Sequence, residues 1–211
     1  MVTKAILGSL VEAIKGLPVR VTIPLFPLGS VLFPEGEAAL KVFEVRYMDM
    51  VKVAIKNASP FGYVLIREGS EVGQPAMPED IGTLATIGQW DMPQLGVLQI
   101  NVRGGKRFRI LTQKTSAAGL ITAEVELLPD DAPSQGVEHE ACANFLRKVF
   151  ASLPDARHDE ALFHDASWVS FRLTEMLPFS SSIKQKMLAL TDSKLRVDIL
   201  HRFLREQQLL G

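Results

Sequence analysis

Apolar and polar residues alternate through much of Val19–Leu128, then shift to a rhythm of three and four. Alternation places successive side chains on opposite faces of a strand, and the three-to-four spacing lines one face of a helix. The first region is therefore expected to be mainly strand: Val19–Phe26, Glu37–Phe43, Phe61–Arg67, Ile81–Trp90, Leu95–Arg103, Lys106–Thr112 and Leu120–Leu128. One helix interrupts it over Glu44–Asn57, where Val45, Met48, Val51 and Ile55 share a face. Pro24 and Pro27 lack a donor for the ladder and suggest an edge or a barrel mouth. Gly104-Gly105 reads as a hairpin turn, because both central residues of a type I′ turn need positive φ. Glu68–Asp80 and Gln89–Gln94 read as loops.

A break is expected at Pro129–Gly136, a stretch of prolines, aspartates and small residues. Beyond it the pattern predicts helices over Val137–Ser152, Glu160–Leu177, Ser181–Leu190 and Asp192–Leu209, with Ser180 and Thr191 as N-caps of the last two. At the other end Ile6, Leu10, Ala13, Ile14 and Leu17 fall at helical spacing. The organisation expected is an N-terminal helical extension over 1–18, a β domain over 19–130 and a helical subdomain over 137–211. The extension could pack on the body or on a second copy, giving a homo-oligomer.

Composition narrows the classes. A chain of 211 residues, 47% hydrophobic and 22% charged, is long enough for a sizeable core. Its net charge of −1 supplies no field to draw nucleic acid or an anionic membrane. A lone cysteine, Cys142, forbids an internal disulfide and favours a reducing, cytoplasmic compartment. No apolar run approaches the ~20 residues that span a bilayer.

Chemistry is sparse. The Gly-Lys pair at 105–106 is followed by Arg107 and has Ile100 where a P-loop needs its first glycine. No G-x-S-x-G elbow and no H-E-x-x-H occurs. His158, Asp159, Glu160, His164 and Asp165 form the one cluster of potential ligands, but their spacing does not converge on a helix face, so no metal and no cofactor is expected. Glu44, Arg46 and Tyr47 stand at a strand-to-helix junction, where a structural role is expected. Arg103, Lys106, Arg107 and Arg109 form a basic run around Phe108. Strand alternation splits that charge between two faces, and Val19–Leu128 carries 11 basic and 11 acidic residues. Nucleic-acid binding normally shows a net basic footprint.

Several blocks together carry a family resemblance. Ile23–Leu28 reads IPLFPL, Leu32-Phe33-Pro34 follows, and Phe43–Tyr47 reads FEVRY. Phe61–Ile66 with Gly69 and Gly73, Ile81–Ile87, Val102–Ile110, Leu173–Pro178 and Lys184–Leu188 continue in register. This series resembles the N-terminal, substrate-binding domain of Lon proteases over roughly Val21–Leu204. The resemblance implies an α+β fold, a PUA-like β pseudo-barrel with one helix followed by a C-terminal helical bundle. It also implies a polypeptide-binding, non-enzymatic module of protein quality control, standing alone where Lon would continue into its ATPase and Ser-Lys protease domains. Apolar residues on loops are the candidates for such contact: Phe33 in the Pro/Gly-rich segment, and Trp90 and Met92 in the second loop. Since PUA-like barrels include RNA binders, Arg103, Lys106, Arg107 and Arg109 are the alternative site.

Overall fold

The computed structural model describes residues 18–153 and 159–210. The N-terminal helical extension, with any role in oligomerisation, lies outside the described residues, as does His158 of the histidine cluster. Strands β1 (Arg20–Leu28), β2 (Glu37–Val42), β3 (Phe61–Glu68), β4 (Met77–Gln94), β5 (Val97–Thr115) and β6 (Ile121–Leu127) form a single sheet, and α1 (Val45–Asn57) lies between β2 and β3. The sheet order is β2-β5-β4-β3-β1-β6, and an added β5–β6 pairing closes it into a pseudo-barrel. Helices α2 (Val137–Ala151), α3 (Ala166–Met176), α4 (Ser181–Ala189) and α5 (Ser193–Glu206) follow, with a 3₁₀ turn at Glu160–His164. The fold is α+β, as expected.

Two prolines sit inside β1 because the strand changes partner between them. Arg20–Pro24 pair antiparallel with β6, and Leu25–Leu28 pair in parallel with β3. Each half thus has ladder bonds on one side, which leaves a side for a residue without N–H.

The glycine pair 104–105 does not turn the chain. β5 runs through it unbroken from Val97 to Thr115, and the reversal lies at Leu95-Gly96, where Gly96 takes φ 84°. Gly104 is needed for close approach instead: a Cβ there would stand 2.1 Å from the Phe33 carbonyl oxygen. The Phe33–Gly36 segment is clipped onto β5 at that point, with the Glu35 amide donating to the Gly104 carbonyl and the Gly104 amide to Gly36, both at 2.8 Å. The expected loop at Gln89–Gln94 is likewise strand, paired with Val97–Asn101.

The helix expected over Glu160–Leu177 is divided. Asp165 stops the 3₁₀ turn and caps α3, its carboxylate accepting from the Ser167 and Trp168 amides. Ser180 caps α4 as expected, accepting from the Ile183 amide. Asp192 rather than Thr191 caps α5. A carboxylate oxygen accepts from both the Lys194 and Leu195 amides, so the residue one step on is the better cap.

α1 covers one side of the sheet. Tyr47, Met50, Val51 and Ala54 pack on Leu98, Ile100 and Val102. Tyr47 stacks on Phe26 with ring centroids 4.2 Å apart. Arg46, buried, pairs with Glu44 at 2.9 Å and donates to the Gly119 carbonyl at 3.1 Å, so this junction is structural. A separate core in the helices gathers Cys142, Leu146, Trp168, Val169, Leu200 and Leu204.

Candidate functional site

Two surfaces bring together residues singled out in the sequence. The first is a wing on the barrel. β4 pairs with β3 only as far as Ala85, and its outer half continues against β5 alone. The first half of β5 also carries β2 on its other side. The result is a three-stranded wing in which β2 and the outer half of β4 pair, among the described residues, only with β5. Trp90 stands opposite Ile100. Directly paired residues share a face, so the indole extends the apolar surface that holds Ile100. Ile100 is buried beneath α1, whereas Trp90 is 56% exposed. Met92 and Leu95 follow at the tip, 39% and 93% exposed. Three large apolar side chains thus stand in water beside open backbone edges.

Phe33 does not join them. It is fully buried, packed on Phe171 of α3 with ring centroids 5.6 Å apart. The Pro/Gly-rich segment folds inward because its carbonyls are claimed: Arg172 donates to those of Pro34 and Glu35, and Thr83 to that of Leu32.

The second surface is a cleft between barrel and helices, with a volume of about 980 Å³. It contains three members of the basic run, but each is engaged. Arg103 pairs with Glu35 at 2.5 Å and Lys106 with Asp130 at 3.0 Å. Arg107 is buried, donating to Asp131 at 2.5 Å and to the Leu188 and Leu190 carbonyls. Arg109 lies further along β5, exposed and opposite Glu126. Three of the four thus line one cleft, each held by a carboxylate, and Arg109 stands apart from them.

Sequence reasoning missed the centre of this junction. Asp131 accepts from Arg107, from Arg196 and, at 2.6 Å, from the Ser167 hydroxyl. Both guanidinium groups also lie over the Phe171 ring, Arg196 at 4.0 Å and Arg107 at 5.3 Å from its centroid. Burial pushes the Asp131 carboxyl up, but the bonds from Arg196 and Ser167 and the two nearby positive charges outweigh it. Its pKa stays below the usual carboxylate value. One signal was available. Arg196 precedes Leu200 and Leu204 by one and two helical repeats, which places a charge on the buried face of α5. Nearby, Arg172 pairs with Glu175 at 2.6 Å, and burial raises the Glu175 carboxyl despite that partner.

Neither surface carries a reactive constellation. Among the described residues no group of three or more His, Cys, Asp or Glu is placed to hold a metal ion. Cys142 is fully buried, and burial pushes its thiol up to about 12. None of the helices described is long and apolar enough to cross a membrane.

Comparison with known proteins agrees with this geometry. The family model for the ATP-dependent protease La (LON) substrate-binding domain matches residues 22–206. The structure is similar to that of a Lon N-terminal domain protein from Xanthomonas campestris, with 32% identity, 85% of this chain and 96% of that one covered, and a TM-score of 0.72. The N-terminal domain of Mycobacterium avium complex Lon protease shares the fold at 16% identity, with the same coverage and a TM-score of 0.61. No curated protein matches the chain.

Proposed function

The chain belongs to the Lon substrate-binding domain family, and from that premise we propose that it binds polypeptide in an extended, unfolded state without acting on it chemically. The wing is the binding surface. Trp90 and Met92 offer aromatic and thioether side chains, which adapt to many apolar partners. The open edges of β4 and β2 offer main-chain donors and acceptors, which an added strand satisfies whatever its sequence. The single observation that carries the reading is the exposure of Trp90, Met92 and Leu95 together at the end of the wing. Large apolar groups gathered on a surface mark interaction sites. The role is in handling cytoplasmic protein substrates for quality control. What weighs against a nucleic-acid partner is that Arg103, Lys106 and Arg107 each already pair with a carboxylate.

The test is fluorescence anisotropy with a labelled, permanently unfolded polypeptide. Binding is expected near micromolar, about −8 kcal/mol. Trp90→Ala and Met92→Ala are each expected to weaken it by ~1 kcal/mol or more. Added salt should change it little. A steep salt dependence with RNA, removed by Arg107→Ala with Arg109→Ala and untouched by Trp90→Ala, would refute the reading. ATP hydrolysis and casein cleavage should remain at background.

A further inference from the structure

We propose that the cleft between barrel and helices is a second binding site, selective for polypeptide segments in which an apolar side chain is flanked by lysine or arginine. The proposal shares with the reading above only the premise that the ligand is polypeptide; it rests on different residues and a different surface.

Charge is the first argument. Among the described residues, seven carboxylates and four cations line the cleft, and Arg196 behind Asp131 makes a fifth cation. Two negative charges are left over. Their distribution matters more than the total. Every lining cation already meets a carboxylate: Arg103 with Glu35, Lys106 with Asp130, Arg107 with Asp131 and Arg172 with Glu175. Glu37, Asp159 and Asp165 have no cationic partner within ion-pair distance among the described residues. All three are exposed. An anionic ligand would find each cation committed. A cationic one would meet three carboxylates, two of them, Asp159 and Asp165, held in place by the backbone amides they cap.

Shape is the second argument. The volume, about 980 Å³, is at the upper end for a small-molecule pocket and suits a few residues of chain. Leu162, half-buried, and Met176, 38% exposed, supply the apolar part of its wall. An apolar side chain can lie on that wall while its basic neighbours reach the rim. A bare polyamine would use the charge and leave the wall unused.

The experiment compares three labelled decapeptides by anisotropy: one with leucine flanked by lysines and arginines, one with those cations replaced by glutamate, and one with the leucine replaced by glycine. The basic leucine peptide is expected to bind at least ten-fold more tightly than the acidic one and at least three-fold more tightly than the glycine one. Combined Glu37→Gln, Asp159→Asn and Asp165→Asn substitution is expected to weaken it at least five-fold; asparagine keeps both caps, so the melting temperature should hold. Equal affinity for basic and acidic peptides, or a preference that survives the triple substitution, overturns the proposal. Should the triple variant fail to fold, amide shifts of the wild-type chain on titration decide: movement at Glu37, Leu162 and Met176 supports the cleft, and movement confined to Trp90–Gly96 overturns it. If Trp90→Ala leaves the unfolded polypeptide bound as before while the triple variant loses the basic peptide, the wing reading fails and the cleft stands.

Discussion

Replacing Asp131 by alanine should cost more stability than any surface change in this chain. Its carboxylate is 1% exposed, and the two guanidinium groups that it holds are 4% and 0% exposed. Removing one member of a buried ion pair typically costs 3–5 kcal/mol, because the partner charge stays buried without compensation. Here two charges lose their counterion. Both keep other acceptors: Arg107 the Leu188 and Leu190 carbonyls, Arg196 the Leu190 carbonyl and the Ser167 and Ser170 hydroxyls. Those bonds hold the expected loss to about 3–5 kcal/mol for Asp131→Ala, despite the doubled charge. Against a total of 5–15 kcal/mol this is a large fraction. Urea unfolding measures it. With a slope of about 2 kcal/mol/M, the midpoint should fall by roughly 2 M. Asp130→Ala, which breaks only the exposed pair with Lys106, is the control and should shift stability by at most ~0.5 kcal/mol. The sign with pH follows from the depressed pKa of Asp131. Its contribution is fully present above the unfolded carboxylate value near pH 4 and is lost as pH falls through the lower, folded value. Asp131→Asn should lack that acid-side loss. A change under ~1 kcal/mol in Asp131→Ala, or one no larger than in the Asp130 control, would refute this account of the junction.

Three further outcomes are expected. Ala58 closes α1 in the left-handed region, φ 48° and ψ 38°, so Ala58→Gly should raise stability by about 0.5–1 kcal/mol in the same urea assay. Gly104→Ala should destabilise by ~2 kcal/mol or more, since its Cβ would meet backbone, whereas Gly105→Ala, whose nearest neighbour would be 3.5 Å away, should be tolerated. Cys142 should not react with a thiol reagent at pH 8 in the folded protein, because it is buried with its thiol pushed up to about 12, and should react fully in urea.

Local pattern carried much of the fold. β6 shows the alternation of Ile121, Ala123 and Val125, and all three are buried. α1 shows its helical repeat in Met48 and Val51, although Val45, expected on the same face, is 76% exposed; Ser180 shows its cap. Failures came where a residue answers to something distant. Local pattern predicts a turn at Gly104, whereas the carbonyl that demands a glycine there belongs to Phe33, far away in sequence. Arg107 and Phe108 are both buried, which strand alternation cannot anticipate. The barrel interior takes one side of β5, and the helices cover the other. Phe33 stands in a segment rich in proline and glycine, which makes it a candidate for contact, yet α3 lies over it and it closes the barrel from within. Trp90 and Met92 are accessible, although on strand rather than loop.

The clip of Phe33–Gly36 onto β5 sets an order of events during synthesis. Its carbonyls at Pro34 and Glu35 are satisfied by Arg172, and Gly29 accepts from Ser181, 152 residues later. The barrel itself cannot close before Ile121–Leu127 has left the ribosome, because β6 is what joins β1 to β5. Contacts this far apart fold slowly, since each must first overcome the entropy of closing a long loop. Until α3 arrives, Phe33 has no cover and the rim of the barrel is open. A nascent chain paused between β6 and α3 would therefore present the kind of exposed, unsatisfied polypeptide that this protein is proposed to bind.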